Sequence, residues 1–497
     1  MRELFVGVDA GSSVLKAVAF DLAGRAVAQA SERTPLSRPG GGRVEADPDT
    51  AWAAFARVLT SVADQARDAG RIAGLGLSGA MVGAWVVDAR GRTLRPGINW
   101  EDSRAQGLIE EMARENPRLL SDIFSVSGSV MQQGCTLPVT AALLREEPAV
   151  MARAAAVMGY KDWLRFRLTG RIATDASEAA VAPGDARRQA RDEGLIRLFG
   201  LEAHAHLLPE VLPSAALAGA VTAEAARETG LPEGLPVAAG AGDVIANVIG
   251  AGGLRAGSLT GLLGTTCMVG LCAEEPVFTP PDLGLLFSLP ERHWFRAMVN
   301  VAGTLNLDWA AGLLFPHLSG RGDLLARVGA LAAAEPVGAR GVVYLPYLSE
   351  SGIIAPVAAA GARAQFAGLA PPHGREAMIR AVYEGVAFSV ADLCDLLAPP
   401  EGTPMVLTGG GARSAFWCRM IAEVTGREVV VPEGAEFGAR GAALIAATAL
   451  GRFASVAAAS ASVAGRGTVY RPEGTEAAAW ASARARYRDA RDRALGR

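Results

Sequence analysis

The pattern of hydrophobic positions opens with two short apolar runs, residues 4–8 and 14–20, separated by the polar turn DAGSS at 9–13. Apolar runs of this length on either side of a glycine-containing turn predict a β-hairpin. The turn offers backbone N–H groups, two hydroxyls and one carboxylate. This set suits a phosphate chain and its metal ion, because amides and hydroxyls bind anionic oxygens and a carboxylate binds Mg²⁺. An ordinary hairpin turn is an equally good interpretation of these residues alone.

The pattern that follows mixes strands with helices. Apolar residues at helical spacing predict a helix over 49–69, begun by Asp47 as N-cap and Pro48 at the first helical position. Long helical stretches after a strand-rich start favour an elaborated α/β domain. The predicted strands are 26–30, 72–77 and 84–87, the predicted loops are 35–43, 128–138 and 169–190, and the mostly helical region is 105–230.

The second half repeats the opening design. A strand, the hydroxyl-rich loop GTT at 264–266 and a second strand follow one another, and we interpret this as a degenerate internal duplication. The glycine loop at 409–411 lets a flat ligand lie against the backbone. The other predicted elements are a strand running into 240–243 with a helix after it, a helix start at 303–304, an amphipathic helix over 375–397, a strand at 405–407, a helix over 414–425 and a strand at 428–431. A further helix is predicted from 437, with small residues on one face, as close packing between domains requires.

Size, charge and cysteine usage narrow the class of protein. A chain of 497 residues is too long for one core, so we expect two domains. The net charge of −3 gives no electrostatic reason to bind nucleic acid or an anionic membrane, and no apolar run is long enough to span a bilayer. The five scattered cysteines form no C-x-x-C pair, so neither a disulfide framework nor a zinc site is indicated. Without a signal peptide, we expect a cytoplasmic protein.

A few polar residues stand out from this background. His204 and His206 form the one close histidine pair, and their loop-like setting favours a surface position over a metal site. Lys16 and Lys161 are the only lysines in an arginine-rich chain. A lysine where arginine is the usual choice indicates that a compact ammonium group is needed.

Two other nucleotide-binding interpretations compete. The stretch GAGDVIA at 240–246 resembles a dinucleotide-binding turn, but that site needs an acidic residue about twenty positions further on, where Leu262 and Leu263 stand. An actin-like or chaperone-type ATPase without a sugar substrate stays open. Asp243 argues against it, because an acid that follows glycines at a strand end suits a base that reaches into a cleft.

Taken in order, the short motifs resemble the FGGY carbohydrate kinases, most closely the xylulokinase-like branch, over nearly the whole chain. The motifs are DAGSSVLK at 9–16, SGAMVG at 78–83, WEDSR at 100–104, KDWL at 161–164, TG at 169–170 with DASE at 175–178, GD at 242–243, GTT at 264–266, YLS at 347–349, YEGV at 383–386 and GGGARS at 409–414. The resemblance implies an α/β fold of two actin-like ATPase (ribonuclease H-like) domains with an inter-domain cleft. It assigns residues 1–245 to the sugar side and 246–497 to the ATP side.

The resemblance also implies an activity: transfer of the γ-phosphate of ATP to a primary hydroxyl of a small sugar or sugar alcohol. Asp243 then matches the catalytic base and also a sugar contact, and Asp9 matches the carboxylate near Mg²⁺. The residues that match the nucleotide and phosphate site are Ser12, Ser13, Lys16, Gly264, Thr265, Thr266, Gly303, Gly410, Gly411 and Ala412. The residues that match the sugar site are Met81, Trp100, Asp102, Arg104 and Asp243. A homodimer is left open.

Three departures from the branch pattern concern the substrate. Val82 and Val244 stand where the branch has His and Asn, and SGIIAP at 351–356 replaces Gly-Glu-Arg-Thr-Pro. Loss of two hydrogen-bonding groups favours a substrate with fewer or different hydroxyl contacts, such as a related ketopentose, a deoxysugar or a tetritol. Gln132 and Gln133 either supply replacement contacts or lie in a surface loop.

Overall fold

The computed structural model describes residues 2–318, 323–349, 352–359 and 361–496. Within these ranges the chain forms two seven-stranded sheets with helices packed against them, as the α/β prediction required. No helix in the described ranges combines the length and the apolar character needed to cross a membrane. Ser351, the first residue of the replaced segment 351–356, lies outside the described residues.

The first half of the chain holds one large sheet and most of the short helices. Its strands are β1 (Glu3–Ala10), β2 (Val14–Phe20), β3 (Ala26–Arg33), β4 (Leu36–Gly40), β5 (Arg43–Ala46), β6 (Arg71–Gly79), β7 (Trp85–Val87), β8 (Gly97–Ile98), β9 (Ala156–Met158), β10 (Ala173–Asp175), β11 (Glu210–Leu212), β12 (Leu217–Ala220), β13 (Pro236–Ala238) and β14 (Ala241–Gly242). Its helices are α1 (Pro48–Ala66), α2 (Gln106–Glu115), α3 (Leu119–Ser127), α4 (Thr136–Glu146), α5 (Pro148–Met151), α6 (Tyr160–Thr169), α7 (Ala176–Val181), α8 (Glu193–Leu198), α9 (Ala223–Thr229) and α10 (Asp243–Gly250).

The second half holds the other large sheet and the longer helices. Its strands are β15 (Leu259–Leu263), β16 (Cys267–Ala273), β17 (Leu285–Leu289), β18 (His293–Asn300), β19 (Val343–Leu345), β20 (Gln365–Ala367), β21 (Met405–Thr408), β22 (Val429–Pro432) and β23 (Gly467–Tyr470). Its helices are α11 (Leu305–Leu314), α12 (Leu324–Ala333), α13 (Arg375–Leu397), α14 (Ala415–Thr425), α15 (Phe437–Ala449), α16 (Val456–Val463) and α17 (Ala477–Ala494).

The two large sheets share a central design. In the first, with the order β12-β13-β6-β1-β2-β3 and β14 beside β6, the β1–β2 hairpin is antiparallel and β1 is parallel to β6. In the second, with the order β17-β18-β16-β15-β21-β22-β23, the β15–β16 hairpin is antiparallel and β15 is parallel to β21. Both predicted hairpins are therefore present, and each first strand has a parallel neighbour. This repetition agrees with the internal duplication that the sequence indicates.

Helix α15, from the second half, packs directly on the sheet of the first half. A Cβ atom on Gly7 would lie 1.7 Å from the carbonyl oxygen of Ala439, and one on Gly76 would lie 2.1 Å from that of Ala442. Contacts this close between backbones require glycine on the strands. The predicted domain boundary at 245/246 falls inside α10, which packs on α15 as well, and the division stays a prediction.

Some predicted elements differ from the structure. The predicted loop 35–43 is mostly strand, because Gly40, Gly41 and Gly42 take φ values of 99°, 61° and 71° and turn the chain into the β4–β5 hairpin. The predicted loop 128–138 ends early, since α4 begins at 136. The predicted loop 169–190 contains β10 and α7, whose N-cap is Asp175. Helix α13 has its predicted bounds but is buried nearly all round, since helices α11, α12 and α14 pack on it together with strands β16, β18 and β19.

Candidate active site

Three neighbouring parallel strands of the first sheet end side by side. Residues 9 and 10 of β1 pair with residues 78 and 79 of β6, which in turn pair with residues 241 and 242 of β14. Asp243 is the next residue and begins α10. The register therefore brings Asp9 and Asp243, two of the predicted site residues, to one edge of the sheet.

Asp243 has the properties of a proton acceptor near neutral pH. Loss of hydration, together with the negative charge of Asp9, raises the pKa of its carboxyl to about 7. The backbone N–H of Val244 donates to its Oδ1 at 2.7 Å. A carboxyl whose pKa lies near the working pH is well matched to general-base catalysis.

The carboxylate of Asp9 lies between Ser78 and the first turn of α15. Ser78 Oγ donates to its Oδ1 at 3.2 Å, and a Cβ atom on Gly438 would lie 2.5 Å from its Oδ2, so the first turn of α15 presents bare backbone to the carboxylate. Burial raises the pKa of Asp9 to about 6, against the opposing effects of Ser78 and of the charge on Lys16. Proteins commonly hold Mg²⁺ through one or two carboxylates together with substrate phosphates, and Asp9 near Asp243 fits that donor set.

The predicted phosphate loop of the first half lies beside this edge. Ser12 and Ser13 form the bend between β1 and β2, and Lys16 follows in β2. Lys16 Nζ lies 2.7 Å from Glu436 Oε2. Glu436 takes a φ of 55° immediately before α15, so this ion pair joins the predicted phosphate loop to the second half of the chain.

The predicted nucleotide residues of the second half come together at the end of β15. The N–H of Gly303 donates to Thr265 O at 2.6 Å, and that of Thr304 donates to Gly264 O at 2.7 Å. A Cβ atom on Gly409 would lie 2.6 Å from the carbonyl oxygen at the end of β15, so the glycine loop packs on the same turn. The group that the structure gathers here is Gly264, Thr265, Thr266, Gly303, Gly410, Gly411 and Ala412.

One hydrogen bond links this group to the helix of Asp243. Thr408 Oγ1, one residue before the glycine loop, donates to Asn247 Oδ1 at 3.0 Å. Asn247 is one helical turn after Asp243 in α10, and residues four apart share a face of a helix. The helix that begins with Asp243 is therefore hydrogen-bonded to the strand that leads into the glycine loop.

The predicted sugar-side loops pack against the residue before Asp243 and against one another. A Cβ atom on Gly242 would lie 2.2 Å from Met81 Sδ, which puts Met81 against the residue before Asp243. The N–H of Gly83 donates to Gly134 O at 2.9 Å, and a Cβ atom on Gly134 would lie 1.8 Å from the carbonyl oxygen of Trp100. Trp100 itself is 38% exposed, a large fraction for an indole. Gln132 and Gln133 lie half-buried in the same loop.

Asp102 and Arg104 form a buried ion pair whose acceptors are largely in use. Asp102 Oδ1 accepts from Arg104 N at 2.9 Å and Nε at 2.8 Å, and Oδ2 accepts from Arg104 Nη2 and Val44 N, both at 2.8 Å. Burial acts to raise the pKa of Asp102, but the hydrogen bonds of Arg104 outweigh it and the pKa lies below its usual range. Each carboxylate oxygen already has two donors. The role of Asp102 as a direct sugar contact stays a prediction, and in this structure the carboxylate braces Arg104.

Sequence reasoning gave no role to a buried ionic cluster directly behind this site. Lys161, Asp175, Ser177 and Glu178 belong to it, and all four are buried. Ser177 Oγ accepts from the N–H of Gly242, and Glu178 Oε1 accepts from that of Val82. The rarity of lysine at position 161 and the polar run DASE in an apolar region were the available signals.

Comparison with known protein families gives a match in each half of the chain. The family model for the N-terminal domain of the FGGY family of carbohydrate kinases matches residues 4–250, and that for the C-terminal domain matches residues 259–450. The xylulose kinase of Escherichia coli (strain K12) is 32% identical over 89% of this chain and 89% of its own. The erythritol kinase of Brucella abortus (strain 2308) is 30% identical over 91% of this chain and 89% of its own. The crystal structure of xylulose kinase from Rhodospirillum rubrum superposes with a TM-score of 0.86 at 28% identity over 99% of both chains.

Proposed function

The chain belongs to the FGGY family of carbohydrate kinases, which transfer phosphate from ATP to a sugar hydroxyl, and we propose that Asp243 is the general base of this transfer. The observation that carries the proposal is the carboxyl at the end of β14, beside Asp9, with its pKa raised to about 7. The chaperone-type ATPase and the nicotinamide-dependent oxidoreductase are not favoured, because the family match spans both halves of the chain.

In the proposed mechanism, Asp243 takes the proton of a primary hydroxyl as that hydroxyl attacks the γ-phosphorus in line. Phosphoryl transfer depends mainly on positioning and charge stabilisation, so one oriented base and a set of phosphate-binding groups are sufficient machinery. Oδ1 of Asp243 accepts the N–H of Val244, which leaves Oδ2 to receive the proton. Closure of the two halves would exclude water from the transfer.

We further propose that Asp9 holds Mg²⁺ together with the phosphates of ATP. When bound, the ion neutralises negative charge on the transferring phosphoryl group. The phosphate-binding role of Lys16 requires it to leave Glu436, whose carboxylate it contacts at 2.7 Å. Ser12, Ser13 and the loop at 264–266 would donate hydrogen bonds to phosphate oxygens, and the loop at 410–412 would face the adenosine.

For the substrate we propose a pentulose or a tetritol. The support is the similarity to a xylulose kinase and to an erythritol kinase at about equal identity, 32% and 30%. Met81 and the exposed ring of Trp100 would form an apolar wall, and Arg104 would supply a charged donor from its braced position. Val82 and Val244 have aliphatic side chains where the xylulokinase branch has polar ones, so this pocket should hold fewer substrate hydroxyls by hydrogen bonds.

The experiment that tests the base is Asp243→Asn, assayed by ADP release with a panel of ketoses, aldoses and polyols. We expect ATP binding to be kept and kcat to fall by about 10²–10⁴-fold, the usual contribution of a general base. Asp49→Asn is the matched control, because Asp49 is an exposed acid in the first turn of α1. Near-normal turnover of Asp243→Asn would remove the assigned role. ADP release stimulated by a protein and by no sugar would support the ATPase alternative instead.

We propose the cytoplasm as the working compartment, because the five cysteines are free and buried and free thiols persist in a reducing compartment. Fractionation of the cells that express the protein tests this assignment. Whether the chain forms a homodimer is tested by sedimentation velocity of the purified chain.

A further inference from the structure

A cluster of ionic and polar side chains lies buried behind the candidate active site. Its members are 4% exposed or less and carry two cations and three acids. Burying this many charges is costly unless each finds a partner. The members are Lys161, Asp162, Arg165, Asp175, Ser177 and Glu178.

The partners inside the cluster fix the side chain of Ser177. Asp175 Oδ1 accepts from Ser177 N at 2.9 Å and also from Ser177 Oγ. Lys161 Nζ in turn pairs with both Asp175 and Asp162, the latter at 2.6 Å. Because the hydroxyl proton of Ser177 points to Asp175, the lone pairs of Ser177 Oγ are free to accept from elsewhere.

Among the hydrogen bonds that leave the cluster, one from Ser177 and one from Glu178 end on backbone of the candidate active site. Ser177 Oγ accepts from the N–H of Gly242 at 3.0 Å, immediately before Asp243. Glu178 Oε1 accepts from the N–H of Val82 at 2.5 Å, immediately after Met81. The short helix α7 therefore positions both the residue before the candidate base and the loop of the candidate sugar site.

The backbone at Val82 shows why that second bond is needed. Val82 has a φ of 61°, a left-handed conformation that a β-branched residue adopts only under constraint. Its N–H is buried with it, so loss of the acceptor would leave an unpaired donor as well as a strained residue. The hydrogen bond from Val82 N–H to Glu178 offsets both the backbone strain and the cost of burying this donor.

We propose that Ser177 and Glu178 are positioning residues for phosphoryl transfer. Ser177 acts through Gly242 to aim Asp243 at the reacting hydroxyl, and Glu178 acts through Val82 to hold the sugar loop 80–83. Neither side chain touches the reacting atoms. The inference rests on the proposed role of Asp243, and its test separates the two.

The test compares kcat and KM in variants of the full-length protein. For Ser177→Ala we expect kcat to fall about 10- to 100-fold, the effect of a misplacement of about 1 Å, with the sugar KM nearly unchanged. For Glu178→Met we expect the sugar KM to rise about tenfold or more, the effect of leaving one buried N–H unpaired, with the ATP KM unchanged. Glu178→Gln keeps an oxygen acceptor of the same reach, so it should restore most of the sugar affinity.

Thr174→Val is the matched control for general damage to the cluster. Thr174 is buried and its Oγ1 donates to Asp162 Oδ2 at 2.6 Å, away from both active-site loops. We expect this variant to lose thermal stability while keeping kcat and both KM values. The inference is overturned if Thr174→Val reproduces the kinetic losses of Ser177→Ala and Glu178→Met, or if those two variants lose only thermal stability.

A double variant distinguishes this inference from the proposed function. If Ser177 acts through Asp243, Ser177→Ala should add almost nothing to the loss in Asp243→Asn, because coupled residues are not additive. A full additional loss in the double variant would overturn the positioning role while leaving Asp243 as the base. Normal turnover of the single variant Asp243→Asn would instead overturn the proposed function.

Discussion

The buried ion pair of Asp102 and Arg104 stabilises the sugar side of the candidate site. A variant of Asp102 measures how much this pair contributes to the free energy of unfolding. The perturbation is Asp102→Asn, which keeps the side-chain shape, removes the charge and replaces one acceptor oxygen by an NH₂ group. Asp102 accepts two hydrogen bonds on each oxygen in the native structure. Either orientation of the amide therefore turns its NH₂ group towards two donors.

The magnitude follows from these bonds. Hydrogen bonds to a charged partner contribute about 1.5–3 kcal/mol each, and two of them are lost. The guanidinium of Arg104, whose side chain is 2% exposed, is left with Glu45 at 2.6 Å and with Glu147 at 3.7 Å. Breaking one partner of a buried pair costs about 3–5 kcal/mol in general, so we expect a loss of that size here.

The assay is urea unfolding, with Glu101→Gln as the control. Glu101 is the adjacent acid and pairs with Arg38, whose side chain is 61% exposed, so this variant should lose no more than about 1 kcal/mol. The slope of free energy against urea should be the same in both variants. If the two variants lose the same free energy within about 1 kcal/mol, the bracing argument is refuted.

The pH dependence checks that charge is the origin of the effect. The pKa of Asp102 is lowered in the folded protein, so its stabilisation is present above the unfolded pKa, about 3.9, and is lost as the pH falls through the lower folded value. The gap in unfolding free energy between the native protein and Asp102→Asn should therefore shrink below about pH 4. A gap that stays constant from neutral pH to the acid transition would contradict an electrostatic origin.

Three further outcomes are expected. Gly76→Ala should lower the free energy of unfolding by at least about 1–3 kcal/mol, because its Cβ would lie 2.1 Å from Ala442 O. Gly107→Ala is the control in the same urea titration. It should be neutral or stabilising, because a Cβ on Gly107 in α2 would have no neighbour within 4 Å. Lys16→Met should raise the KM for ATP about tenfold with the sugar KM unchanged, as loss of one phosphate-binding charge predicts, and Glu436→Gln, which releases the lysine, should not raise it. Burial raises the pKa of the cysteine thiols to about 12, so a thiol reagent at about pH 8 should label no cysteine in the native protein and all of them in denaturant; rapid labelling of the native chain would contradict the packing.

The sequence predicted best what is set by local pattern. Both hairpins, the helix capped by Asp47 and the helix start after Gly303 follow from residues that are neighbours along the chain. The elements within 169–190 were missed because α7 has six residues and is held by partners such as Gly242, 65 positions away. An element that short gives no periodicity to detect, and its stability comes from tertiary contacts.

The candidate site also has parts that the sequence predicted and parts that depend on distant contacts. The resemblance identified the residue types at the ends of β1 and β14, and the strand register brings those residues together. It could not give the hydrogen-bonding environment of Asp102, since one donor comes from Val44, 58 positions earlier in the chain. Side chains that support an active site from behind are set by such distant partners, so a linear pattern contains little trace of them.

The packing of α15 on β1 and β6 has a consequence for synthesis of the protein. The ribosome makes the first sheet within the first 242 residues, but the helix that covers it begins at residue 437. Nascent chains normally complete their N-terminal domains first, whereas here one face of the earliest strands must wait for nearly the whole polypeptide. A fragment ending before that helix would leave this face bare, so the two halves should be produced as one chain and not expressed separately.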